Sequence, residues 1–223
     1  MLLDRLEIIN EEFYTDRVTP DAMDLLLANA WRHFGTHFTR YNFGIHEGEV
    51  RRVLPLRVCV RDFKPSKSQR RVIRKNADLE TTVRPIELTD ETHDLVARHK
   101  QRFTFGVPSS IYDFLSKDAA NTPGTAYEIR VTENGKLVAA SFFDIGITAI
   151  SSIYGIFDPE ITSRSLGIFT MLKEIEFAGA HGMEHYYPGY AYEGESFYDY
   201  KKRFAALETF DWNGNWNAAK PFT

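Results

Sequence analysis

The side chains best suited to chemistry fall into three groups. The first is a run of cations, Lys67, Arg70, Arg71, Arg74 and Lys75, set at three- and four-residue spacings with no acid among them. Like charges so placed weaken an isolated helix by a few tenths of a kcal/mol per pair. A helix that keeps them together is suited to a phosphate-rich partner. Gln69 lies within the run and, three residues after Ser66, also completes a capping box. Few aromatics interleave with the cations, so contacts to a nucleic-acid backbone fit better than base stacking. The alternative is a solvated helix whose arginines pair with acids from elsewhere in the fold.

The second group holds acid and base candidates: Asp144 at a strand end, Tyr154 within a strand, and Tyr186, Tyr187, Tyr190 and Tyr192 in one short stretch. Taken singly, each aromatic is a core residue by type. Together they would line a pocket with an apolar body and hydroxyl rims. The third group is Ser165, Leu166 and Gly167, which open a helix whose free N–H groups would converge on an anion or a polarised carbonyl oxygen. A plain crossover helix packed on a sheet explains that stretch equally well. Tyr200 and Lys201 follow, on an expected last helix with Glu195, Ser196, Tyr198 and Arg203. Neither His33 with His37 nor His181 with His185 has the spacing of a metal site. No serine lies in a nucleophile elbow, which excludes that type of hydrolase.

The elements that would position these groups are legible in order. Residues 6–18 alternate weakly, as a strand pair or an extended arm. Thr19-Pro20-Asp21 starts a helix carrying Met23, Leu26, Leu27, Ala30, Trp31 and Phe34, and Gly35 stops it. Residues 38–45 and 50–60 form two strands around His46-Glu47-Gly48, and the basic helix follows Ser66. Residues 80–88 read as a strand, residues 90–103 as a helix, and a shorter helix starts at Ser109. From Thr125 an antiparallel meander turns at Glu133-Asn134-Gly135. A buried strand over residues 147–157, a loop, a helix ended by Gly182, and an aromatic strand from Glu184 complete the pattern.

Composition sets the outer limits. The 223 residues carry 27 Lys and Arg against 31 Asp and Glu, yet the basic run shows that the charge is unevenly spread. A single cysteine, Cys59, leaves no internal disulfide or cysteine-cluster metal site, and a reduced cytoplasmic setting fits. Acids near the start argue against a secretory signal, and no apolar run approaches the roughly 20 residues that span a bilayer.

Meander, loop, helix and strand in this order resemble acyltransferases of the GNAT type, an α+β fold with a mixed, mostly antiparallel sheet flanked by helices. Their pyrophosphate loop is met by Arg164 and Gly167, whereas Phe169 stands where close backbone approach wants a small residue, which points away from coenzyme A. A narrower resemblance is carried by the run RVCVRDFKPSKSQRR at 57–71 with RKNADL at 74–79. Residues 163–169, the stretch Tyr186-Tyr187-Pro188-Gly189-Tyr190, and Tyr200-Lys201 with Phe204 follow in order. These resemble the aminoacyl-tRNA–protein transferases, which pass arginine or leucine to protein N-termini, over residues 36–212. Residues 46–53 lack the cysteines of the family's N-terminal cluster, and Pro188 replaces a leucine.

The resemblance implies residues 1–60 as an N-terminal sub-domain without the cluster and residues 61–223 as the transferase domain. It implies aminoacyl-tRNA as donor, an amine such as a protein N-terminus as acceptor, no nucleotide cofactor and no membrane. Lys67, Gln69, Arg70, Arg71, Arg74 and Lys75 would hold tRNA. Ser165, Leu166, Gly167, Tyr200 and Lys201 would bind the donor. Asp144, Tyr154, Tyr187 and Tyr190 would serve catalysis. An acyl-coenzyme A transferase and a silent tRNA-binding relative are the competing readings.

Overall fold

Two hairpins and one long crossover organise the sheet that carries the site. In the computed structural model, which describes residues 7–104 and 106–220, Ala126–Glu133 (β7) and Lys136–Ile145 (β8) pair antiparallel. Asn134 and Gly135, both at positive φ, turn the chain between them, as such tight hairpins require. Ala149–Phe157 (β9) adds antiparallel to β8. The chain then crosses through helix Leu166–Ala180 (α4) and returns as His185–Tyr192 (β10), parallel to β9. β8 is buried along nearly its whole length, which explains its unbroken run of apolar and small residues. This meander, crossover and parallel strand is the GNAT-type order expected from the sequence.

The earlier strands are Asn10–Tyr14 (β1), Arg32–Phe34 (β2), His37–Tyr41 (β3), Phe43–His46 (β4), Glu49–Cys59 (β5) and Glu80–Pro85 (β6); the last are Leu207–Phe210 (β11) and Trp216–Ala218 (β12). β1, β3 and β2 form a small separate sheet. The large one runs β12-β11-β5-β10-β9-β8-β7-β6, with β4 paired to β5. Every pairing in it is antiparallel except β9 with β10. The division expected at residue 60 therefore cuts differently in three dimensions. β5 lies between β10 and β11, so the first 60 residues supply a central strand of the transferase sheet.

Helices cover both faces. Lys67–Lys75 (α2) and α4 lie over a core of Leu56, Val58, Ile150, Phe169, Ile175 and Tyr186. On the other face Asp90–Lys100 (α3) buries Leu95 and Val96 against Phe142 and Ile156. Helix Pro20–Ala28 (α1) packs Met23 and Leu27 with Phe38 against Ala149 and Tyr187. Tyr186 and Tyr187 are neighbours on one strand and so point to opposite faces. Hence α2 and α4 lie on one side of the sheet, and α1 with the small sheet on the other.

Three expectations differ. The first helix ends at Ala28 and does not run on to Phe34, because Asn29 closes it by donating from its side chain to the Leu25 carbonyl at 2.8 Å and Ala30 turns left-handed at φ 62°. Residues beyond it become β2. The expected last helix is one short 3-10 turn, Lys201–Arg203. The arm at residues 6–18 is a single strand, β1, with Leu6 outside the described residues. Among the described residues no helix is long and apolar enough to cross a membrane.

Candidate active site

β9 and β10 hold together for only three residue pairs, His185 with Ala149, Tyr186 with Ile150 and Tyr187 with Ser151, and then separate. Past that point β10 leaves a bulge between Tyr186 and Gly189 against β5. The carboxyl ends of two parallel strands thus open a gap beside the start of the crossover helix, the usual place for a ligand in such sheets.

One carboxyl group lies directly under the gap. Glu174, fully buried on α4, accepts from the Tyr186 hydroxyl at 2.7 Å and from the Ser152 hydroxyl at 3.3 Å. Burial pushes its carboxyl up to about 7, against the lowering pull of those hydroxyls. A carboxyl tuned to neutrality can take up or release a proton at working pH. Tyr186 is itself raised well above the usual phenol range, first by burial and then by Glu174, so it acts as a fixed donor. Ser152 is the half-buried member of the trio and links Glu174 to the gap.

Two cations also converge here. Arg32 reaches from β2, and its Nη2 donates to the Ser152 carbonyl at 3.1 Å. Its guanidinium lies so close to Gly189 that a Cβ there would meet Nη1 at 1.7 Å, and Gly189 has φ 94°. Glycine is required on both counts. Lys201 is buried, and its Nζ donates to the Tyr190 carbonyl at 3.1 Å. Burial, and then the Arg32 charge, hold its ammonium well below the usual lysine range. The Tyr198 ring lies 4.8 Å from Nζ and the Tyr190 ring 5.7 Å from the Arg32 guanidinium.

The start of α4 is a separate point. Leu166 is eight residues before Glu174, about 12 Å along the helix. Ser165 turns left-handed there, at φ 53°, and the side chain of Leu166 is buried, so this turn offers backbone N–H groups and the exposed Ser165 hydroxyl. That distance suits a phosphate of the donor better than the carbonyl above Glu174. Phe169 points into the core at 2% exposure and leaves the turn clear, so it does not obstruct a pyrophosphate as its position in sequence suggested. Arg164 is committed to Asp78 through two hydrogen bonds of 2.8 and 2.9 Å and to Glu133 at 2.8 Å. With Asn76 donating to the Arg164 carbonyl and Lys75 to that of Ser163, it clamps this turn to α2.

α2 displays Lys67, Arg70, Arg71, Arg74 and Lys75 to solvent, and among the described residues none pairs with a carboxylate. Gln69 is turned inward instead. Its side chain accepts from the Ser66 N–H at 2.8 Å, and Ser66 accepts from the Gln69 N–H at 3.2 Å, a complete capping box. It has no free group for a phosphate.

The four expected catalytic side chains do not all converge: Tyr187 and Tyr190 line one small cavity, while Asp144 and Tyr154 do not line it. Asp144 is buried 2.9 Å from His33 Nε2, and His33 Nδ1 lies 2.8 Å from the Gly35 carbonyl. Burial lowers the His33 imidazolium, but the Asp144 charge and hydrogen bond together with the Gly35 carbonyl outweigh it, and the net shift is upward. This pair fastens β2 to β8. Tyr187 packs against α1, on the side of the sheet opposite Glu174, where it lines a small cavity with Arg32, Gly189 and Tyr190. The Tyr190 hydroxyl donates to the Ala30 carbonyl. Tyr154 stacks on Phe114 at 3.7 Å, and burial raises its phenol to about 12. Tyr200, 39% exposed, stands at the mouth beside Lys201. Glu174, Ser152 and Arg32 were missed by the sequence reading. Only Glu174 had a signal: it falls three residues after Met171 and four before Ala178, on the flank of the buried face.

Known proteins share this chain's features. The family model described as arginine-tRNA-protein transferase, C terminus, matches residues 91–211, more than half of the chain. Aspartate/glutamate leucyltransferase of Xanthomonas oryzae pv. oryzae (strain KACC10331 / KXO85) is 34% identical over 171 residues, 71% of this chain and 66% of the relative. The chain thus spans just under two thirds of that relative's length. The same-named protein of Marinobacter nauticus (strain ATCC 700491 / DSM 11845 / VT8) is 31% identical over 194 residues, 86% of this chain and 79% of the relative. Among solved structures, FemX covers 87% of this chain and 68% of its own with a TM-score of 0.50 at 12% identity, a likeness of fold alone. With a family match over more than half its length, and relatives aligned beyond that match, this chain belongs to the arginine-tRNA-protein transferase family.

Proposed function

We propose that this protein transfers an amino acid from a charged tRNA to the amino group at the start of a peptide or protein, in a cytoplasmic setting. One observation carries the reading: a neutral-range carboxyl, Glu174, lies under a gap between parallel strands, on the same side as five cations that have no carboxylate partner. The α2 cations hold phosphates of the tRNA, giving a salt-dependent affinity. The N–H groups of Leu166 and Gly167 take a phosphate near its end. The ester-linked amino acid then lies in the gap, with Tyr200 at its mouth. The names of the relatives, aspartate/glutamate leucyltransferase, suggest leucine as cargo and an acidic first residue in the acceptor. Such a transfer would mark proteins in the manner of an N-degron.

The chemistry follows from the groups present. The acceptor amine attacks the ester carbonyl, and the carbonyl oxygen takes negative charge. The proton lost by the amine passes to the Ser152 hydroxyl, whose own proton goes to Glu174. Collapse forms the amide and expels the terminal ribose oxygen, which takes the proton back. The ester arrives activated, so orientation supplies much of the rate and the step consumes no nucleotide.

The test is incubation with labelled leucyl- and arginyl-tRNA, and separately with labelled acetyl-coenzyme A, in the presence of peptides differing in their first residue. Label moving from tRNA to peptide supports the reading, and label moving only from acetyl-coenzyme A sinks it. That second outcome has its own support, because the inward turn of Phe169 leaves the start of α4 open to a pyrophosphate. Tight tRNA binding without transfer to any amine would instead indicate a silent relative.

A further inference from the structure

Two cations brought together without a counter-ion, one buried and one half-buried, are costly, and such an arrangement fits a site awaiting an anion. Arg32 and Lys201 come from β2 and from the turn after β10; Arg32 lies against Gly189 and the Tyr190 ring, and Lys201 against the Tyr190 carbonyl. Among the described residues neither pairs with a carboxylate; their hydrogen-bond partners are the carbonyls of Ser152 and Tyr190. Arg32 arrives from the side of the sheet that carries α1, whereas the α2 cations occupy the opposite side. The anion it faces is therefore separate from the phosphates that α2 would hold.

Ser152 ties this point to the chemistry. Its carbonyl takes Arg32 and its hydroxyl meets Glu174, so the anion site and the proton acceptor share one residue. An acceptor whose amine sits at the hydroxyl places its own side chain next to the guanidinium. In a peptide the α-carboxyl of the first residue is an amide, so the only carboxylate within that reach is on its side chain. A planar guanidinium matches a carboxylate through paired hydrogen bonds.

We propose that Arg32 and Lys201 form the receptor for the side-chain carboxylate of the acceptor's first residue, and so select peptides that begin with Asp or Glu. This rests on the transferase reading above, and it assigns Lys201 to the acceptor where the sequence resemblance assigned it to the donor.

The test uses the full chain, charged tRNA and peptides identical except for a first residue of Asp, Glu, Asn, Gln or Arg. The kcat/KM ratio of Asp- to Asn-peptide should fall by ~10- to 100-fold in Arg32→Gln, mostly through KM, and less in Lys201→Met. Arg32→Glu should shift preference toward the Arg-peptide. A uniform fall in kcat for every peptide would overturn the proposal, since both groups would then act on the ester. A weaker, less salt-dependent affinity of Arg32→Gln for uncharged tRNA would also overturn it, by giving the site to the donor. Calorimetry without tRNA separates this inference from the one beneath it. If no transfer occurs, yet the Asp-peptide binds ~10-fold or more tighter than the Asn-peptide and Arg32→Gln erases the difference, the carboxylate receptor stands and the transferase reading falls. If the natural protein transfers with no acid preference, the transferase reading stands and the receptor falls. Should Arg32→Gln fail to fold by circular dichroism, Arg32→Lys keeps the charge but not the fork, and an undiminished Asp preference in it would exclude the paired hydrogen bonds.

Discussion

The cations of α2 and the cations at the gap are opposite uses of positive charge. The five on α2 are in water, where each is cheap to keep and contributes through number rather than geometry. Of the two at the gap, Lys201 is buried and Arg32 half-buried, each held by a single carbonyl, and the pair is costly until an anion arrives. An exposed stripe tolerates many partners of one charge. An enclosed pair distinguishes one carboxylate from its amide. On the proposed function, substrate charge is handled twice in one small protein, loosely on one face and strictly at the opening.

The sharpest way to break that comparison is to remove the carboxyl between the two. Glu174→Gln should lower kcat by ~10²- to 10⁴-fold while leaving the cations in place. In the natural protein the rate should climb with pH toward a plateau above about 7, as Glu174 loses its proton, and the variant should lose that limb. A pH–rate profile unchanged by the substitution would remove Glu174 from the mechanism.

The next effect concerns how β2, and with it Arg32, is held. His33→Ala should cost ~3 kcal/mol in urea denaturation, because it leaves Asp144 buried without its partner. The His33 pKa is higher in the folded than in the unfolded state. Its contribution is therefore complete below the unfolded value of ~6.5 and fades as pH rises through the folded value. The difference between natural protein and variant should accordingly narrow in alkaline solution, and a gap that widens with pH would contradict the pairing.

On the exposed side, Arg70→Ala with Arg74→Ala should flatten the plot of log affinity for tRNA against log salt by about 2, near 1 for each phosphate no longer held. First-residue preference should not move, and a change in it would merge the two sites. The smallest effect is expected from Gln69→Ala. It should lose about 1 kcal/mol of stability through the cap, with the salt slope intact, as thermal unfolding and the same titration would show.

Much of this was legible in the chain. The capping box at Ser66 and Gln69, the hairpin at Asn134-Gly135 and the inner face of α4 are local patterns, and local patterns survive in the fold. The site was less legible because it is assembled from distant segments. Trp31 and Phe34 continue the helical spacing of α1, yet Trp31 packs edge-on to Phe13 at 4.9 Å and the helix has already ended. That early stop places Arg32 on a strand, and nothing in its neighbours announces it. Glu174 sits between Lys173 and Glu176 and reads as part of a wet face until Tyr186, twelve residues later, is seen to donate to it. The tyrosines stand together in the sequence, but alternation along β10 sends Tyr187 to the other side.

The position of β5 bears on how the molecule is made. Cys59 aligns with His185 and Val58 with Leu207, so a strand synthesised early waits for partners that leave the ribosome more than a hundred residues later. Until then only its first part is paired, with β4, and the stretch holding Leu54, Leu56 and Val58 has both edges open. A chain stopped short of β10 would therefore carry that apolar stretch without either of its sheet neighbours.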